Sequence, residues 1–181
     1  MRFFLLAALL AFQATAAAAQ SLPTGMPPAP GFAPSSSLRT YALRLKPGQD
    51  VRRELLAFAE QHQLRAAAVL TCVGSLTTAT LRLANQEGPT RYQGHFEIVS
   101  LVGTLSVNGS HLHLAIADST GRTLGGHLLD GNVIYTTAEL VIGEMPELDF
   151  RREPDATYGY QELVVYPGKN KKSKSMAKKH K

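Results

Sequence analysis

The residues whose types and spacing can do chemistry gather between Ser110 and Gly131, in the stretch SHLHLAIADSTGRTLGGHLLDG. Side chains along a strand alternate between faces, so His111 and His113 share one face with Ala115 and Ala117. Leu112, Leu114 and Ile116 take the other face, which reads as the core side. Asp118-Ser119-Thr120-Gly121 suits a hairpin turn that returns Thr123 to Leu129 beside the first strand. That places His127 on the same sheet as the histidine pair. Neutral imidazoles are good ligands for zinc and other late first-row divalent metals. Three protein ligands with an open fourth position is the arrangement of catalytic zinc, which draws the pKa of bound water toward about 7. A divalent metal, zinc first among the candidates, is therefore the expected cofactor. The competing reading makes these polar histidines of a cleft or a subunit interface.

Other residues qualify the site. Glu97 alternates with Phe96 and Ile98 and shares a face with His95, which suits a second contact to a ligand, a general base or a salt bridge. Glu139, within the run AEL, carries the same alternatives. Gly125 and Gly126 would admit a ligand close to the backbone, or let strands pack tightly or bulge. Asp118 reads as a turn former, and His62 as a residue capping a helix end. Cys72, the single cysteine, excludes an intramolecular disulfide framework and reads as a small buried hydrophobe within AAAVLTCVG. No Ser-His-Asp order, phosphate-cradling loop or dinucleotide-binding glycine motif is present. A binding role is thus favoured over catalysis, with a metal-dependent hydrolase or lyase as the alternative.

The elements that must position these residues follow from pattern. Leu38 to Leu45 reads as a first strand, ended by Pro47-Gly48. Asp50 is a suitable N-cap for a helix in which Val51, Leu55, Phe58 and Ala59 fall at helical spacing, ending near His62. Strands are expected at Ala66 to Val73, Thr77 to Ala84, and His95 to Leu105, with Gly103 a candidate bulge. After the histidine hairpin come Val133 to Ile142, Leu148 to Arg152, and Leu163 to Tyr166. Many strands around one helix predict an α+β fold with a mostly antiparallel sheet. One helix covers only part of such a sheet, so association with further copies is expected to bury the rest.

The ends of the chain differ from its middle. Met1 to Ala19 has a short basic start, an apolar core and an Ala-Ala-Ala cleavage site, the pattern of a signal peptide. Its apolar run falls short of the about 20 residues that a spanning helix needs. An exported protein, periplasmic or secreted, is the expectation. Residues 20 to 37 are rich in proline and serine and read as a linker. The folded domain is then expected over 38 to 167, followed by a disordered tail over 168 to 181. That tail holds seven lysines and no acid. Without them and Arg2, 11 basic residues face 14 acidic ones, so the formal charge of +5 becomes −3. The domain is mildly acidic, and the tail reads as a solvated appendage, a contact for an anionic surface or, last, a nucleic-acid contact.

Two runs carry a family resemblance. Gly94 to Gly103, GHFEIVSLVG, is similar to the signature of the plant and prokaryote conserved (PPC) domain. The succession HLHLAIAD, GGHLLDG and TTAELVIGE resembles the prokaryotic branch of that family. The resemblance spans roughly Leu38 to Val165. It implies an α+β fold around an antiparallel sheet, a homotrimer, and metal binding through the histidines of the HLH and GGH elements, here His111, His113 and His127. A small-molecule ligand near the metal is a further expectation. Plant members carry AT-hooks and act on AT-rich DNA, which makes DNA binding the alternative function. This sequence has no Arg-Gly-Arg-Pro hook core, and minor-groove binding needs basic side chains that the mildly acidic domain supplies poorly.

Overall fold

The computed structural model describes residues 33–157 and 159–168. The expected signal peptide, most of the linker and the lysine-rich tail lie outside the described residues. Among those described, no helix is long and apolar enough to cross a membrane. The elements are β1 (Arg39–Leu45), α1 (Val51–Gln61), β2 (Ala67–Arg82), β3 (Thr90–Ser106), β4 (Gly109–Ala117), β5 (Thr123–Leu128), β6 (Val133–Glu144), β7 (Leu148–Pro154) and β8 (Gln161–Pro167). The first six strands form one sheet in the order β1-β6-β2-β3-β4-β5, and β5 also pairs with the end of β2. β7 and β8 form a second, two-stranded sheet. Neighbours in both sheets run antiparallel, as in the register Leu43↔Leu140 of β1 and β6 and Phe150↔Val165 of β7 and β8. The expected α+β architecture is the one observed.

The helix forms where its pattern places it. Asp50 accepts a hydrogen bond from the Arg53 amide through Oδ1 at 3.0 Å, a side-chain N-cap. Val51, Leu55 and Ala59 are fully buried along one stripe. They join Leu112, Leu114 and Ile116 in a single apolar cluster that also holds Cys72. His62 closes the helix, its amide donating to the Phe58 carbonyl at 3.0 Å. Its ring lies 4.3 Å from that of Phe58. The helix covers the inner face of the sheet only. Leu70, Val73, Val99 and Val102 are exposed on β2 and β3.

Three expectations need correction. The strands expected at Ala66 to Val73 and Thr77 to Ala84 are one continuous strand, β2. Gly74 does not end it. A Cβ at Gly74 would stand 2.1 Å from the Thr137 carbonyl oxygen, so this glycine lets β6 approach closely while the register shifts past it. β3 begins at Thr90 and not at His95, because Thr90 to Gln93 pair with Leu81 to Thr78 despite their polar side chains. Gly103 is not a bulge. It pairs in register with Val69 and Leu112, and the irregularity against β4 falls between Ile98 and Ser100.

One buried polar cluster ties the helix to the strands. Asn132 is fully buried. Its Nδ2 donates to the carbonyls of Thr80 (3.0 Å) and Leu129 (2.7 Å), and its Oδ1 accepts from the Thr80 amide at 3.0 Å. The second carboxylate oxygen of Asp50 accepts from the amides of Gly131 (2.5 Å) and Asn132 (3.1 Å). Buried groups left without partners cost about 1–3 kcal/mol each. Asn132→Ala is therefore expected to destabilise the fold by about 3 kcal/mol, read as a lower midpoint in urea unfolding. An unchanged midpoint would remove this cluster from the account.

Candidate metal centre

The histidine hairpin is positioned by strand register. In the β4–β5 pairing His113 stands directly opposite His127, and His111 lies two residues along the same face of β4. The turn between them is held by Asp118, whose Oδ1 accepts from the amides of Thr120 (2.8 Å) and Arg122 (3.1 Å). Asp118 is thus a turn former, its carboxyl held below the usual range chiefly by Thr120. Gly125 and Gly126 let β5 fit between its neighbours. A Cβ at Gly125 would stand 2.8 Å from the Leu114 carbonyl oxygen, and one at Gly126 2.8 Å from that of Arg82. Both glycines face neighbouring strands, and neither lines the cleft beside the histidines.

The three rings converge. His111 lies 5.1 Å from both His113 and His127 between ring centroids, and His113 lies 5.6 Å from His127. One nitrogen of each lies within 4.8 Å of those of the others. The Nε2 atoms of His111 and His113 are 3.2 Å apart. Tetrahedral zinc with bonds near 2.0–2.1 Å would set its ligand atoms about 3.4 Å apart, so this pair already has the spacing. His127 Nδ1 is buried with no hydrogen-bond partner among the described residues, so this ring has coordinating capacity that the chain leaves unused.

The electrostatics favour the ligating form. Burial first, then the Arg82 guanidinium and the other two imidazoles, push His127 down to about 4. Burial, followed by Arg152 and His113, also lowers His111. His127 therefore stays neutral through the mildly acidic range, and His111 is shifted in the same direction, toward the form that binds a metal.

Glu97 and Glu139 are not brought to the three histidines. Glu97 pairs with Ser75 and with Ala117, the last residue of β4, whereas His111 and His113 lie near the start of that strand. Glu139 lies on β6 opposite Val73, separated from β4 by β2 and β3. Alternation assigns a residue to a face but not to a place along the sheet. His95 instead stacks on Tyr135, with centroids 4.1 Å apart and planes 16° from parallel. Cys72 is buried, and desolvation pushes its thiol up to about 12.

The structure adds residues that the motif does not contain. A cleft of about 510 Å³ opens beside His111 and His127, lined also by Arg52, Arg82, Arg152 and Glu162. Arg82 faces His127 across the β2–β5 pairing. No local pattern marks it, because that contact joins strands far apart in sequence.

The depressed His127 pKa has a stability consequence. The unfolded ring, with its ordinary value of 6.5, takes up a proton before the folded one does. Stability of the metal-free protein is expected to fall as pH drops from 6.5 toward 4. His127→Gln should flatten that part of the profile, measured as urea midpoints at several pH values. A profile unchanged by the substitution would contradict the assignment.

Comparison with known proteins supplies the family. The Plants and Prokaryotes Conserved (PCC) domain model matches residues 33–146. The chain is 50% identical over 141 residues to the bifunctional protein GlmU of a Synechococcus strain, covering 78% of this chain and 22% of that protein. It thus spans about a fifth of that relative. It is 32% identical over 125 residues to AT-hook motif nuclear-localized protein 13 of Arabidopsis thaliana, covering 62% of this chain and 27% of that protein. Among solved structures, a protein from Salmonella cholerae-suis matches with 52% identity and a TM-score of 0.73, covering 74% of this chain and 97% of the other. A metal-containing protein from Archaeoglobus fulgidus shares the fold at 23% identity and a TM-score of 0.64, with 72% and 96% covered. This chain belongs to the Plants and Prokaryotes Conserved domain family.

Proposed function

We propose that this chain is an exported protein that binds a divalent metal, zinc by preference, through His111, His113 and His127. The open side of the metal then serves a small ligand in the adjoining cleft. The observation that carries this reading is the convergence of three imidazoles with nitrogens within 4.8 Å. The family neighbour from Archaeoglobus that is described as metal-containing supports it. The leader pattern of Met1 to Ala19 supports export. Binding is favoured over hydrolysis or lyase chemistry because Glu97 and Glu139, the carboxylates best suited by sequence to act as bases, stand on other parts of the sheet. DNA binding is the reading that the plant relatives' names favour, and the mildly acidic domain argues against it.

The outer face of the sheet supports association with further copies, and the family resemblance makes the expected assembly a homotrimer. Val102 stands opposite His113 and is exposed, as are Val99 on the same strand and Leu70 and Val73 on β2. Apolar residues gathered on one face of a sheet are a common mark of an association surface. Light scattering on the full chain is expected to give three times the monomer mass, and Val102→Glu to shift it toward monomer. A monomeric wild type at working concentration would end that part of the proposal.

Metal content tests the principal reading. Elemental mass spectrometry on tag-free protein is expected to find near-stoichiometric zinc after loading and dialysis. The His111→Ala/His113→Ala variant should lose it while keeping its circular dichroism. No retained metal in the wild type would leave the three histidines as polar cleft residues. Duplex DNA bound with steep salt dependence by a metal-free protein would favour the alternative.

A further inference from the structure

The cleft beside the histidines is more basic than its function as a metal vestibule requires. Arg82 leaves the end of β2 directly opposite His127 and makes no ion pair among the described residues. Arg152 reaches in from β7, where its Nη2 donates to Thr104 Oγ1 at 2.7 Å, and Thr104 stands opposite His111 in the β3–β4 register. Arg52 is already committed, its Nη1 lying 2.6 Å from Asp130 Oδ1. Glu162 is the one carboxylate lining the same space. Two guanidiniums thus flank the histidines, one of them held in place by a hydroxyl and the other unpaired.

The wall that carries Arg152, Gln161 and Glu162 belongs to the second sheet, beyond residue 146, where the family match ends. Asp149 fastens it. That buried carboxylate pairs with Arg65 and, at 3.2 Å, with Arg151. The cleft volume of about 510 Å³ falls within the range of small-ligand sites.

We infer that this cleft binds the anionic head of a small metabolite, a phosphate or a carboxylate, between Arg82 and Arg152. For its contact with the metal, this inference rests on the reading of the three histidines given above. A guanidinium presents paired donors that match the oxygens of either head, and desolvated charge-assisted bonds of this kind are the strong ones. Arg82 supplies the uncompensated charge and Arg152 the fixed donor. The metal's open side would take a second oxygen of the same ligand.

Titration calorimetry on the zinc-loaded full chain, at constant ionic strength, tests this with inorganic phosphate and with malonate as probes. Saturable binding of at least one is expected, and the preferred probe distinguishes a phosphate head from a carboxylate one. Arg82→Gln and Arg152→Gln should each weaken it roughly tenfold or more, with zinc content and melting temperature unchanged. Zinc held by a wild type that binds neither probe overturns the inference and leaves the metal reading standing. Probe binding that survives both arginine substitutions also overturns it. Probe binding that needs Arg82 in a protein that takes up no zinc sustains the arginine cleft and overturns the metal reading.

Discussion

The close approach of β5 to the end of β2 is the constraint on which the rest of the site depends. At Gly126 the two backbones leave no room for a side chain, since a Cβ would lie 2.8 Å from the Arg82 oxygen. Only there does the sheet fold back on itself, so that β2, β3, β4 and β5 close into a ring. The closure pairs Leu81 with Leu128 and Arg82 with His127. It therefore buries a pair of leucines inside and sets a guanidinium beside an imidazole outside. A strand pushed off β2 by even a methyl group would carry His127 away from Arg82. The histidine cluster and the basic cleft share a single backbone contact.

Two separate parts of the chain are brought to that contact by different forces. The helix contributes Arg52 through its apolar stripe and its Asp50 cap, and the same Asp50 holds the loop that follows β5. The second sheet contributes Arg152 through a buried carboxylate, Asp149, that joins it to Arg65. Asn108 strengthens the junction, its Nδ2 donating to the Phe150 carbonyl at 2.7 Å. Apolar burial sets the gross arrangement, whereas these buried polar groups specify which segments meet. Such groups tolerate few alternatives, because each wrong arrangement strands a donor or an acceptor.

Much of this is legible in the sequence, and the reasons are local. The histidine hairpin could be read because period-two alternation assigns His111 and His113 to one face, and because Asp118 and Gly121 mark a turn. The helix could be read from Asp50 and its apolar spacing. What escaped were features set by contacts between distant strands. Gly74 looks like a strand end because glycine usually punctuates, yet here it serves a neighbour's approach. Thr90 to Gln93 offers the core only Tyr92, too little for a period-two pattern, so its partner strand is what reveals that it is extended. Glu97 and Glu139 carry the right chemistry on the wrong stretch of sheet. Arg82 and Arg152 carry no motif at all.

The buried cysteine has a consequence for where such a protein can work. Thiol–disulfide exchange proceeds through the thiolate, and Cys72, inside the core with its pKa near 12, offers almost none at neutral pH. With no other sulfhydryl in the chain, it gains no crosslink in an oxidising compartment and loses none in a reducing one. Its fold is indifferent to the glutathione poise around it. The same domain can accordingly serve on either side of a membrane without redesign of its core.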